Sequence, residues 1–176
     1  VVAATVIDGG SSGPVVTFRN NETSASIIEG FTITNGWGSS SNGHGGGIAI
    51  CNASPTIRYN VITGNRSASS GGGIYSYGGS PSIVQNTITE NGAQSYGGGI
   101  HAQLSTLSLI GNTITSNEVT AYALGYGGGV SARFSTLSMA DNTLESNHSS
   151  SRGGGVWAEE CVLSIVDNCI VSNVAM

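Results

Sequence analysis

Apolar residues along this chain alternate with polar ones in runs of three to five, and each run ends at glycine, Ser-Pro or asparagine. Ile74-Tyr-Ser-Tyr77, Ser82-Ile-Val-Gln85 and Thr87-Ile-Thr89 form one such set. Period-2 alternation over so few residues predicts short β-strands, and no stretch carries the 3.6-residue period of an amphipathic helix. The set recurs. Gly-Gly-Gly-Ile or Gly-Gly-Gly-Val occurs at 45–48, 71–74, 97–100, 127–130 and 153–156. An Asn-x-(Ile/Leu)-x-x-Asn segment follows each, at 60–65, 86–91, 112–117, 142–147 and 168–173.

The interval from the apolar residue of the first motif to that of the second is always fourteen, as in Ile48 to Ile62 and Val156 to Ile170. The return interval varies. It is twelve from Ile62 to Ile74, fifteen from Ile33 to Ile48 and sixteen from Ile114 to Val130. A coil with one half of fixed length and one half that absorbs insertions predicts loops at 36–44 and 118–126. Three strands per coil, each too short for a hairpin meander, predict pairing of every strand with its equivalent one repeat later. The expected fold is therefore all-β, a parallel solenoid of about six coils, ~26 residues each, rising ~4.8 Å per coil. Residues 1–176 read as a single domain. The first coil and loop, 1–44, are divergent, with Phe18 thirty residues before Ile48, and 45–176 are regular.

Alternation assigns faces. Inward columns are Ile48/Ile74/Ile100/Val130/Val156, then Ile50/Ser76/Ala102/Ala132/Ala158, Ile57/Ile83/Leu109/Met139/Ile165 and Ile62/Ile88/Ile114/Leu144/Ile170. Burying each large side chain contributes ~1.5–3 kcal/mol. Ordering a residue costs over ~1 kcal/mol in backbone entropy. One coil therefore cannot hold itself, and stability comes from stacking. Asn60, Asn86, Asn112, Asn142 and Asn168 stand where the chain bends, a place suited to a residue that tolerates left-handed backbone. Stacked, their amides can also bond along the column.

The glycine-rich bend, the Ser54-Pro55-Thr-Ile57 and Ser80-Pro81-Ser-Ile83 segments and the Asn-x-Ile-x-x-Asn segments together resemble right-handed parallel β-helix repeat proteins, the pectin-lyase-like superfold. The pairing is also similar to the GGA(I/L/V) and FxxN repeats of polymorphic outer-membrane adhesins. Here GGG stands for GGA and Ile-x-x-Asn for Phe-x-x-Asn. The resemblance covers residues 5–173. It implies a right-handed β-helix, the hand that parallel crossovers adopt. It also implies a secreted or cell-surface module, non-enzymatic, with an adhesive, structural, fibre-forming or glycan-contacting role. The alternative it carries is a fragment of a polysaccharide lyase, hydrolase or epimerase.

Composition narrows the classes. Only 9% of residues are charged, the net charge is −5, and five scattered arginines with no lysine argue against nucleic acid. No run of 18 apolar residues is present, so no membrane span is expected. The opening residues lack the basic and apolar regions of a signal peptide. The triple glycines precede strands rather than helices, which does not suit phosphate binding. Neither cofactor nor metal is expected. The asparagine columns lack regular carboxylates, and Cys51, Cys161 and Cys169 lack metal-ligand spacing. The cysteines read as free thiols, with a Cys161–Cys169 disulfide as the alternative.

No residue reads as catalytic. Asp141 and Asp167 fall one coil apart, ~5 Å by strand spacing, in a bend column shared with Tyr59, Gln85 and Gly111. Two neighbouring outward columns carry the candidate binding face, comprising Tyr75, Tyr77, His101, Gln103, Arg133, Trp157 and Glu159. Aromatic rings beside hydrogen-bonding tips are what a carbohydrate surface needs. A third possibility is ice binding by the ranked threonines Thr32/Thr34, Thr63, Thr87/Thr89 and Thr113/Thr115. Association through the coil ends, or a longer parent chain, is expected, because unpaired strand edges are templates for further strands.

Overall fold

Strands this short satisfy their backbone groups only by lying on an equivalent strand one turn later, and that is how the chain is arranged. The computed structural model describes residues 5–39, 44–121 and 124–176. Among these residues there is no α-helix, and the strands build four parallel sheets around one core. The first sheet contains Val16–Phe18, Ile48–Cys51, Ile74–Tyr77, Ile100–Gln103, Val130–Arg133 and Val156–Glu159. The second contains Ile27–Glu29, Thr56–Arg58, Ser82–Val84, Thr106–Ile110, Thr136–Ala140 and Val162–Val166. The third runs through Val6–Asp8, Thr32–Thr34, Val61–Thr63, Thr87–Thr89, Thr113–Thr115, Thr143–Glu145 and Cys169–Val171. Successive coils are about 26 residues apart.

The fourth sheet was not expected. It consists of two-residue rungs, Trp37–Gly38, Arg66–Ser67, Gly92–Ala93, Glu118–Val119, His148–Ser149 and Val174–Ala175. Two of these rungs lie inside the predicted insertion loops, so 36–44 and 118–126 are loops only in part. The insertions enter after Gly38 and Val119, and residues 40–43 and 122–123 lie outside the described residues. In the first coil Val16, not Phe18, pairs with Ile48, and Phe18 pairs with Ile50. The divergent strand is shifted by two, which keeps Phe18 on the inward face.

The inward columns pair in the expected register. Ile48, Ile57, Ile62 and their equivalents in the middle coils are wholly buried, and Leu107 and Leu137 add a column to the core. Leu163, Ile165 and Ile170, at the same positions in the last coil, are exposed because no rung lies on them.

The asparagines do not adopt left-handed backbone. The residue before each one does: Tyr59, Gln85, Gly111, Asp141 and Asp167 all have positive φ. The asparagine that follows points inward, buried at Asn60, Asn86, Asn112 and Asn142 and half-buried at Asn168, and its amide satisfies the bend. Asn86 Nδ2 donates to the Ile57 carbonyl at 2.9 Å, and its backbone N–H donates to Asn112 Oδ1 at 2.9 Å. A second ladder passes through Asn65, Asn91, Asn117, Asn147 and Asn173. Buried polar groups are costly unless bonded, so each column serves as a spine of paired amides.

Candidate functional site

The bend before each Gly-Gly-Gly strand crosses the outer face of the first sheet. Gly71 has φ +67°, and a Cβ there would lie 2.5 Å from the Ile74 carbonyl oxygen and 2.8 Å from Tyr75 Cβ. Only glycine permits that approach. The second and third glycines are constrained by neighbours instead: a Cβ on Gly72 would meet Gly92 O at 2.4 Å, and one on Gly73 would meet Gly99 O at 2.6 Å. The residues just before the motif, Ser70, Tyr96, Tyr126 and Arg152, bridge one another in parallel from coil to coil.

Their rings lie on the side chains of the sheet beneath. His44 stacks on Tyr75 with centroids 4.6 Å apart, and Tyr75 on His101 at 5.7 Å. Tyr96 meets His101 at 5.2 Å and stacks on Tyr126 at 5.2 Å, and Tyr126 meets Trp157 at 4.4 Å. Ser131, the small residue between His101 and Trp157 in the column, leaves room for the indole to reach Tyr96 as well, at 5.7 Å. The expectation of one exposed aromatic face is therefore corrected. Tyr75 is 5% exposed and His101 2%, because their outward ring surfaces are used in this stack.

Burial sets the protonation of the covered rings. His101 is pushed down to about 3, first by burial and then by the positive charges of His44 and Arg133, so it is neutral at neutral pH. Its Nδ1 lies 3.0 Å from Ser131 Oγ. Burial also lowers His44 and raises Tyr75 to about 12.

The neighbouring column reaches solvent. Tyr77 is exposed, Gln103 and Arg133 are half-buried, and Glu159 is exposed. Trp157, from the covered column, is half-buried. Arg133 Nε donates to Glu159 Oε2 at 2.8 Å, and the guanidinium lies over the rings of Tyr96 and Phe134 at 5.4 and 5.2 Å.

Immediately after these strands stand Leu104 and Phe134, at φ 53° and 49°. Equivalent bends hold Asn52 and Gly78, residues suited to that conformation. A bulky side chain in the left-handed region costs roughly 1–2 kcal/mol. Both are nevertheless exposed. They wall a groove of about 420 Å³ with Ser105, Thr106, Ser135, Thr136, Glu160 and Val162. The groove thus combines two apolar walls with hydroxyls and a carboxylate, and it adjoins the Arg133–Glu159 pair.

Other candidate positions are scattered. Asp141 and Asp167 are exposed bend residues with left-handed backbone. The threonine ranks pair in register on the third sheet, with Thr115 Oγ1 3.2 Å from Thr89 Oγ1, but Val61, Glu145 and Val171 interrupt them. All three cysteines are free. The alternation does not mark Leu104 and Phe134, because they lie in bends. The available signal was the recurrence of Leu-Ser-Thr at 104–106 as Phe-Ser-Thr at 134–136.

The family model described as the right handed beta helix region matches residues 16–175. No curated protein and no solved structure matches the chain.

Proposed function

The chain belongs to the right-handed β-helix family, and on that architecture we propose that it is a non-catalytic, extracellular, carbohydrate-contacting scaffold. The observation that carries the reading is the pair Leu104 and Phe134, held exposed in left-handed bends of consecutive coils. Left-handed bends recur in every coil, at Tyr59 and Gln85 for example, and what sets this pair apart is two bulky apolar side chains exposed side by side in consecutive coils, where Asn52 and Gly78 stand in the equivalent bends. A sugar polymer offers apolar ring faces and dense hydroxyls. The groove answers both with the exposed apolar side chains of Phe134 and Leu104 and, beside them, the hydroxyls of Thr106 and Thr136 and the carboxylate of Glu160. Tyr77, Gln103, Arg133 and Glu159 extend it over four rungs, about 14 Å at ~4.8 Å per rung. That length suits an oligosaccharide segment lying along the coil axis, and a surface of this kind also suits attachment.

Two other readings have less support. A polysaccharide-active enzyme would need clustered acids, and Asp141 and Asp167 lie in a bend column away from the groove. Ice binding would need uninterrupted threonine ranks. The test is a glycan panel followed by calorimetry on the polymers retained. Phe134→Ala and Tyr77→Ala should each weaken binding on the order of tenfold, the loss of one stacked ring. Absence of binding to any glycan would refute the proposal, and release of cleavage products from a retained polymer would replace it with the enzymatic reading.

A further inference from the structure

A second recess lies on the fourth sheet, away from the groove. Its outward column runs Trp37, Arg66, Gly92, Glu118, and the missing side chain at Gly92 opens a gap in it. The recess measures about 110 Å³ and is lined by Trp37, Arg66, Gln94 and Thr120 over a floor of Ser67, Gly92 and Ala93. That is on the order of three to four water volumes, room for one partly inserted ring and too little for two.

Its walls are pre-set. Arg66 Nη1 donates to Glu118 Oε1 at 2.9 Å, two coils away, and so the guanidinium is held across the gap. A Cβ on Gly92 would lie 2.7 Å from that Nη1, so the arrangement depends on glycine. Gln94 and Thr120, two residues after Gly92 and Glu118 in consecutive coils, line the recess with an amide and a hydroxyl. Trp37 is 41% exposed, a large apolar surface left open beside them.

We propose that this recess binds a single pyranose residue, with Trp37 against the apolar ring face and Arg66, Gln94 and Thr120 bonded to hydroxyls. The chemistry favours a sugar over an anion, because Glu118 already neutralises the one guanidinium in the recess. A planar base would stack on an indole as well, and nucleosides therefore serve as the competing probe. The inference stands apart from the groove, since no residue is shared.

Trp37 supplies the readout. The chain has two tryptophans, so Trp157→Phe leaves Trp37 as the only indole emitter. This variant is titrated with free neutral hexoses, hexuronates and, as a counter-probe, nucleosides. The expected result is a saturable change in Trp37 emission with at least one sugar. Gly92→Ala and Thr120→Ala should each weaken it by on the order of tenfold, the loss of one or two hydrogen bonds. Gly92→Ala meets only the far end of a flexible side chain, and a thermal melt confirms that it folds. No saturable change with any sugar, a change untouched by both substitutions, or a stronger response to nucleosides would each overturn the proposal. Because emission reports Trp37 alone, failure here leaves carbohydrate binding at the groove intact, and the reverse also holds.

Discussion

Arg66 reaches past a whole intervening coil to Glu118, with 2.9 Å between Nη1 and Oε1, over a rung whose outward residue is Gly92. The pair spans two coils, yet both side chains are about half exposed. Exposed ion pairs contribute roughly 0–1 kcal/mol. Glu118→Gln is therefore expected to lower unfolding free energy by less than about 1 kcal/mol by urea denaturation, and salt should shrink the difference further. The role of the pair is to orient a side chain rather than to hold the coil.

The asparagine ladders behave differently. Asn117 Nδ2 donates to the Ile88 carbonyl at 2.9 Å, and Asn117 Oδ1 accepts from Asn91 N at 3.1 Å and from Asn91 Nδ2 at 3.1 Å. Asn117→Ala strands at least two buried groups, at about 1–3 kcal/mol each. The expected loss is about 2–6 kcal/mol by equilibrium denaturation, several times that of Glu118→Gln.

Acid should destabilise the outer aromatic stack through His101. The folded chain keeps this ring neutral down to about 3, whereas unfolded it protonates near its ordinary 6.5. Below that value the unfolded state takes up a proton that the folded state does not. Stability is then full above pH ~6.5 and is lost as pH falls towards ~3, by about 1.4 kcal/mol per pH unit from this group. Urea denaturation across this range should show a shallower acid limb for His101→Phe than for the parent chain. Equal slopes would contradict the assignment.

Leu104→Asn and Phe134→Asn should each raise stability, by up to about 1 kcal/mol, because asparagine relieves a left-handed bend. Asn52 already fills the equivalent position two coils before Leu104. The same substitutions should weaken glycan binding. A stability gain with unchanged binding would separate the strain from function.

The core was legible because inward residues such as Ile48, Ile62 and Leu144 are large, apolar and repeated at a fixed interval. The fourth sheet was not. Its inward residues, among them Gly38, Ser67 and Ala93, are small, and its outward ones, Trp37, Arg66, Gly92 and Glu118, share no chemistry. Alternation also gives the face of a strand but not what crosses it. Tyr75 and His101 point outward as expected, and only the path of the bend carrying Tyr96 and Tyr126 shows that they are covered. The asparagines gave half of their reason: the ladder was readable, while the left-handed residue turned out to be the one before.

The most direct test of the carbohydrate-contacting account is to map the bound glycan by heteronuclear NMR on the labelled chain. An oligosaccharide of the retained polymer should perturb amide and side-chain resonances of Tyr77, Gln103, Leu104, Arg133, Phe134 and Thr136, and leave those of the third sheet, such as Thr87 and Thr113, unmoved. Perturbations centred on the threonine ranks, or none near Leu104 and Phe134 at saturating ligand, would contradict it.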